Sequence, residues 1–188
     1  MRIIGGRLRG LALASVGKGD AAAHLRPTSD RVRESLFNLL SGGRFGDPVT
    51  GARVLDLFAG TGALGLEALS RGAAFASFVE NGRAGGKLLS ANISKAGVAS
   101  ETEVIRSDAT RLPPCKGLPC TLVFLDPPYG KRVGEKALES ALKSGWIAAD
   151  ALVVWEEERA QDAPPGFEVL EARRYGQTWL TLLICKIA

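Results

Sequence analysis

From residue 53 onward the chain alternates short apolar runs with amphipathic segments, and this alternation limits the fold more than any other feature. Apolar runs at 53–58, 76–80, 103–106, 121–125 and 152–156 read as strands, and the segments 64–70, 83–96 and 134–143 read as helices. Gly72 and Gly97 stop the first two helices, because glycine accepts the left-handed turn that ends a helix. Strands that alternate with helices imply a parallel, doubly wound α/β sheet. Residues 167–174 and 178–186 flank Gly176-Gln177 and read as a closing antiparallel pair, which predicts seven strands, mostly parallel, with an antiparallel strand at the C-terminal end.

Upstream, Pro27 precedes Thr28, a residue type that caps helix N-termini. Val32, Leu36, Leu39 and Leu40 then fall on one helical face, which Gly42-Gly43 closes. Arg2-Ile3-Ile4 and residues 8–13 flank Gly5-Gly6 and predict a small β-hairpin. Residues 15–27, rich in Gly and Ala, read as a loop. The expected organisation is one domain over 1–188, with 1–25 as a basic hairpin-and-loop extension and 26–188 as the α/β core.

Charge is uneven along the chain. The net charge is +4, but residues 1–33 hold Arg2, Arg7, Arg9, Lys18, Arg26, Arg31 and Arg33 against Asp20 and Asp30. A basic end on a balanced domain fits an anionic partner. Arg7 and Arg9 alternate with Gly6, Leu8 and Gly10, so on a strand they would share one face and meet phosphates. The competing reading is solubilising charge on an edge strand. The three cysteines, Cys115, Cys120 and Cys185, have no metal-type spacing, and their odd number argues against a disulfide framework. One histidine, His24, cannot make a metal cluster, so no metal is expected. No apolar run approaches the roughly 18 residues that a membrane span needs. The first residues lack the apolar stretch of a secretory signal, and a cytoplasmic location is expected.

Two motifs carry chemistry. The first runs Val54-Leu55-Asp56-Leu57-Phe58-Ala59-Gly60-Thr61-Gly62-Ala63-Leu64-Gly65. An apolar strand enters a glycine turn that opens a helix, and ligands of open α/β sheets sit at such strand ends. Gly60, Gly62 and Gly65 also match a dinucleotide fingerprint. Asp56 argues against that match, because a carboxylate before the glycines repels a pyrophosphate but attracts the sulfonium and ammonium of S-adenosylmethionine (SAM). Glu80, at the end of the next strand, is placed to accept hydrogen bonds from ribose hydroxyls. Asp108, after the third strand, either meets an adenine amino group or caps its own loop.

The second motif is Asp126-Pro127-Pro128-Tyr129, directly after Leu122-Val123-Phe124-Leu125. Two prolines fix the backbone and end the strand abruptly. They hold the Asp126 carboxylate and the Pro127 carbonyl as a rigid pair of acceptors, which suits an exocyclic amine with two hydrogens. Such an amine is a weak nucleophile until both N–H groups are held and its lone pair is directed at the methyl group. Tyr129 would stack on an extruded base.

With these motifs in view, the chain resembles the RsmD family, the bacterial 16S ribosomal RNA guanine-N2 methyltransferases of the Rossmann-like class I SAM-dependent fold. The resemblance rests on Met1-Arg2-Ile3-Ile4-Gly5-Gly6, on the stretch from Leu25-Arg26-Pro27-Thr28 through Arg31-Val32-Arg33-Glu34 to Asn38, and on Leu55 to Gly72. It also rests on Phe78-Val79-Glu80 and on Phe124-Leu125-Asp126-Pro127-Pro128-Tyr129. The D-P-P-Y motif occurs in many amino-methylating enzymes and gives the reaction type. The R-P-T-x-x-R-V-R-E segment is the more specific and gives the family. Asn81-Gly82-Arg83 departs from the pattern, which carries a charged residue before Arg83.

The resemblance implies SAM as cofactor, S-adenosylhomocysteine as product, and a guanine in 16S rRNA or the small ribosomal subunit, as an assembly intermediate, as substrate of a monomeric enzyme. It implies that Arg26, Pro27 and Thr28 lie over the pocket and that the basic hairpin contacts RNA. The expected catalytic set is Asp126, Pro127, Pro128 and Tyr129. The expected cofactor set is Asp56, Phe58, Ala59, Gly60, Thr61, Gly62, Glu80, Asn81, Asp108, Ala109, Arg26 and Thr28. The expected RNA contacts are Arg2, Arg7, Arg9, Arg31, Arg33, Lys131 and Arg132. Three rivals differ in kind: an amino-methyltransferase for DNA adenine or a protein amide, an NAD-dependent oxidoreductase, and a non-catalytic RNA-binding module. The first lacks a target-recognition domain here, the second lacks a catalytic His or Tyr-Lys set, and the third leaves Asp126 and Tyr129 without a use.

Overall fold

The computed structural model describes residues 1–15, 30–128 and 133–187. Helix α1 (Asp30–Ser41) precedes the alternating series β1 (Arg53–Leu57), α2 (Ala63–Ser70), β2 (Phe75–Val79), α3 (Arg83–Ala96) and β3 (Thr102–Ile105). Then come β4 (Cys120–Leu125), α4 (Gly134–Lys143), β5 (Ile147–Glu157), β6 (Phe167–Tyr175) and β7 (Thr178–Cys185). The seven strands form one sheet in the order β3-β2-β1-β4-β5-β7-β6. Strands β1 to β5 pair in parallel, and β7 runs antiparallel to both of its neighbours. The predicted seven-stranded, mostly parallel class I α/β sheet is therefore what the chain builds.

Each face of the sheet carries its own core. One gathers Val54, Phe78, Phe124 and Val154 under residues of α1, α2 and α3, with the Phe37 and Phe124 rings 5.8 Å apart. The other gathers Leu55, Leu57, Val123, Leu125 and Trp155 under α4. The central strands are thus buried on both faces, which is why they read as continuous apolar runs in the sequence.

Three expectations change. β5 starts at Ile147, five residues before the predicted 152, and its pairing with β4 shifts register between Cys120 and Leu122. Asp150 there has φ 55°, and the Ala-rich stretch before Leu152 has little β propensity of its own, so cross-strand pairing with Cys120 decides it.

The N-terminal hairpin forms around a bridge between Arg2 and Ala12, with Ile3 donating to the Leu11 carbonyl (2.9 Å), Gly10 to the Ile3 carbonyl (2.9 Å) and Leu13 to the Met1 carbonyl (3.1 Å), but its turn is wider than the expected Gly5-Gly6. The backbone donors of Ile4 and Gly5 go to the Glu67 carboxylate (2.8 Å each), and that of Leu8 goes to Ser70 Oγ (2.9 Å). The turn between the two arms is docked on α2. Gly6 has φ 74°, and a Cβ there would land on the Ser70 carbonyl oxygen. Ile3 and Leu13 belong to the first core, so the first residues are part of the packed body. Arg7 and Arg9 consequently lie in this turn and do not share a strand face. The expected loop at 15–27 and the Thr28 cap fall largely outside the described residues.

Candidate active site at the carboxyl edge of the sheet

The strand order reverses between β1 and β4, and their carboxyl ends flank the crevice where open α/β sheets bind ligands. Register fixes what meets there. Leu57 pairs with Leu125 on one side and Val79 on the other, Val79 pairs with Ile105, and Leu125 pairs with Trp155. The residues one step beyond, Arg106, Glu80, Phe58, Asp126 and Glu156, therefore form a row along the edge. With strands about 4.8 Å apart, Asp126 lies about 5 Å from the start of the glycine loop and about 10 Å from Glu80 along the backbone.

The glycine loop is held from three directions. Phe58, Gly60 and Gly62 all have positive φ (63°, 55° and 78°), and Phe58 does so despite its Cβ. A left-handed non-glycine residue costs about 1–3 kcal/mol and survives only where its surroundings impose it. Here Ala59 donates its N–H to the Val79 carbonyl (2.9 Å), and Gly60 donates to Glu80 Oε2 (2.7 Å). Asn92 on α3 donates to the Thr61 carbonyl (2.9 Å). Thr61 is itself buried, and a Cβ on Gly62 would come within 2.5 Å of Leu89.

Asp56 sits beneath this loop, 2% exposed, and accepts the Gly65 N–H at 3.0 Å, inside the first turn of α2. Burial pushes its carboxyl up to about 7, against the pull of the Gly65 N–H and with the nearby Glu80 charge adding to the rise. Glu80 is cradled: Gly82 donates to its Oε1 (2.5 Å), and side chains at Gly82 or Gly85 would collide with the carboxylate. A carboxylate offers about four acceptor positions, so the two N–H groups leave capacity for ribose hydroxyls. Asn81 beside it is exposed. Asp108 Oδ1 takes both the N–H (2.9 Å) and hydroxyl (2.8 Å) of Thr110, which hold its carboxyl below the usual range and cap the short turn that begins at the buried Ala109. The capping reading of Asp108 is thus realised in the structure.

Asp126 is half-buried at the end of β4, with Pro127 buried and Pro128 half-buried after it. A following proline disfavours the helical region, which biases Asp126 and Pro127 toward extended backbone as the strand ends. Tyr129, Lys131 and Arg132 lie outside the described residues, as do Arg26 and Thr28.

The expected RNA contacts divide. Arg2, Arg9 and Arg31 are exposed. Arg7 is half-exposed but paired with Glu101. Arg33 is a correction: it is fully buried, with Nη2 donating to the Arg2 carbonyl and to Asp30 Oδ1 (3.0 Å), and with Nε 3.8 Å from the buried Glu67. It ties α1 to the N-terminal turn and cannot reach a phosphate. Its heptad-like partners explain the error: Leu36, Phe37 and Leu40 turn that side of α1 inward.

Sequence reasoning missed Asn92, Glu67, Ser70 and Glu156, all buried. A signal existed for Asn92, which stands among Gly85, Leu89 and Ile93 on the inward face of α3. A polar residue on an apolar stripe must have partners, and Asn92 finds them in Thr61 and in both the N–H (2.7 Å) and carbonyl (3.2 Å) of Ala14.

Comparison with known proteins follows the same lines. A family model described as "Conserved hypothetical protein 95" matches residues 1–184. The ribosomal RNA small subunit methyltransferase D of Escherichia coli K12 is 42% identical over 166 residues, covering 87% of this chain and 78% of its own. The chain belongs to the RsmD family. A Bacillus subtilis relative, the putative rRNA methyltransferase YlbH, is 34% identical over 87% of this chain and 86% of its own. Among solved structures, the putative methyltransferase yhhF from Escherichia coli superposes with a TM-score of 0.81 at 35% identity, covering 100% of this chain and 99% of its own. Membership makes the chain a methyltransferase.

Proposed function

We propose that the chain transfers a methyl group from SAM to the exocyclic N2 amine of a guanine in small-subunit ribosomal RNA. One observation carries this reading: the Asp126-Pro127 acceptor pair lies in register beside the strained glycine loop at the strand-order reversal. The donor set suits the cofactor. Glu80 and Asp108 line an acidic rim and Asp56 lies below it, which favours a cationic sulfonium and ammonium and repels a pyrophosphate. Glu80 would hold the ribose hydroxyls and the loop from Phe58 to Gly62 the methionyl portion; Asp108 caps its own turn through Oδ1, and its Oδ2 with Ala109 would meet the adenine edge. The bound cofactor supplies an activated methyl group on sulfur.

The remaining work falls to the chain. Asp126 accepts one N–H of the amine and the Pro127 carbonyl accepts the other. This fixes the nitrogen and directs its lone pair along the line to the methyl carbon. As the N–C bond forms and the S–C bond breaks, positive charge grows on nitrogen beside the Asp126 carboxylate, which stabilises it and passes the released proton to solvent. Tyr129 would hold the base by stacking. Arg2, Arg9 and Arg31, which are exposed, would meet the RNA backbone, and the sequence adds Lys131 and Arg132 to that set. The reading treats 1–188 as one catalytic domain acting as a monomer in the cytoplasm, where ribosomal subunits are its substrate. Among the described residues no helix is long and apolar enough to cross a membrane.

The test is mass mapping of rRNA from cells lacking the protein, with complementation. One small-subunit guanine should lose one methyl group, restored by the wild type and not by Asp126→Ala. Calorimetric titration with SAM should show binding for both. Full restoration by Asp126→Ala would remove the proposed role of the corner.

A further inference from the structure

We propose that Glu156 is a specificity-determining residue that reads the N1–H of the target guanine, an inference that rests on the function proposed above. Glu156 is 5% exposed and lies in β5 one step beyond Trp155, whose partner across the ladder is Leu125. It therefore stands beside Asp126, one strand spacing of about 4.8 Å away. Both side chains point to the same face. Val154 and Phe124, two residues earlier in their strands, share the first core, and side chains two apart in extended chain share a face. The proline after Asp126 biases that residue toward extended backbone, and Glu156 is held in the ladder opposite Leu180.

Two adjacent carboxylates at a sheet end repel each other unless donors stand against them. A guanine edge answers this arrangement. It presents three N–H groups in a row, one on N1 and two on N2. Asp126 and the Pro127 carbonyl account for the two on N2, and a carboxylate on the next strand is placed for the one on N1. Adenine carries a lone pair at N1, which a carboxylate repels, so the pair of acids selects the base as well as holding it. Neither carboxylate is isolated in the chain as it stands, and the base would displace or join their present contacts.

The experiment uses small subunits reconstituted with rRNA bearing guanine or 2-aminopurine at the mapped position. 2-Aminopurine keeps the N2 amine but has a lone pair at N1. The full-length wild type should use guanine at least about 30-fold more efficiently, since a site built for an N–H rejects the analogue lacking it. Glu156→Gln, whose amide can donate to that lone pair, should lose rate on guanine and gain on 2-aminopurine, narrowing the ratio to within about 3-fold. A purely structural glutamate would lower both rates by one factor and leave the ratio unchanged, which would overturn the inference while leaving the methyltransferase reading intact. If the variant fails to fold, the wild type decides alone: equal use of both bases means that N1–H is not read. Absence of methylation on guanine by the wild type would overturn the parent reading as well.

Discussion

Replacing Asp56 with Asn should make the protein more stable at pH 8 and leave it nearly unchanged at pH 5. The carboxyl is buried and titrates at about 7 instead of the ordinary 3.8. The folded chain therefore holds a proton between those values that the unfolded chain has released. Its stabilising contribution is complete below pH 3.8, falls as pH rises, and is gone above about 7. The interval corresponds to about 4 kcal/mol at most, at about 1.4 kcal/mol for each pH unit. Asparagine keeps an oxygen to accept the Gly65 N–H and never ionises. Allowing for the added amide hydrogens, which need an acceptor, about 2–3 kcal/mol should remain at pH 8, or roughly 4–12 °C in Tm for a chain of this size. Thermal unfolding of wild type and Asp56→Asn at pH 5, 6, 7 and 8 reads this directly. The carboxyls of Asp47 and Asp108 shift the other way, and the difference between the two proteins cancels them. An offset that is constant with pH, or a less stable variant at pH 8, would refute the argument. Above pH 7, where the carboxyl is ionised, the same substitution removes a negative charge below the cofactor loop, so SAM affinity at pH 8 should fall about 10-fold in titration calorimetry.

Three further outcomes follow from the geometry. Asp126→Ala should bind SAM within about 3-fold of wild type while kcat falls about 100- to 1000-fold, the usual cost of losing one aligned group at a reacting atom; rapid-quench methylation assays separate the two. Gly6→Ala forces a side chain into a left-handed turn against the Ser70 carbonyl, and should cost about 1–3 kcal/mol in urea unfolding and expose the N-terminal turn to protease. Asn92→Leu leaves the Thr61 carbonyl and both Ala14 backbone groups without their partner, costs about 2–4 kcal/mol, and loosens the glycine loop enough to weaken SAM binding. Wild-type stability and affinity in that variant would show that Asn92 holds neither segment.

The sequence by itself determined the sheet and the position of its chemistry. Strands buried on both faces must be continuous apolar runs, so β1, β2 and β4 could be read to within a residue or so. Chain direction then forced the Asp56–Gly65 loop, Glu80 and Asp126 onto one edge, because every parallel strand ends on the same side. The tertiary structure alone decided which polar residues face inward. Arg33 looks like its exposed neighbour Arg31 in a basic segment, yet it is buried, because Glu67 and the Arg2 carbonyl are brought to it by contacts across 34 and 31 positions of chain. The N-terminal hairpin pairs its own arms but seats its turn on α2 for the same reason, since Glu67 and Ser70 take the donors of Ile4, Gly5 and Leu8. Glu156 becomes a neighbour of Asp126 only through the β4–β5 register. Hydrophobic period is a local property written into every strand, whereas the partner of a buried charge is a property of the assembled sheet, and no local pattern encodes it.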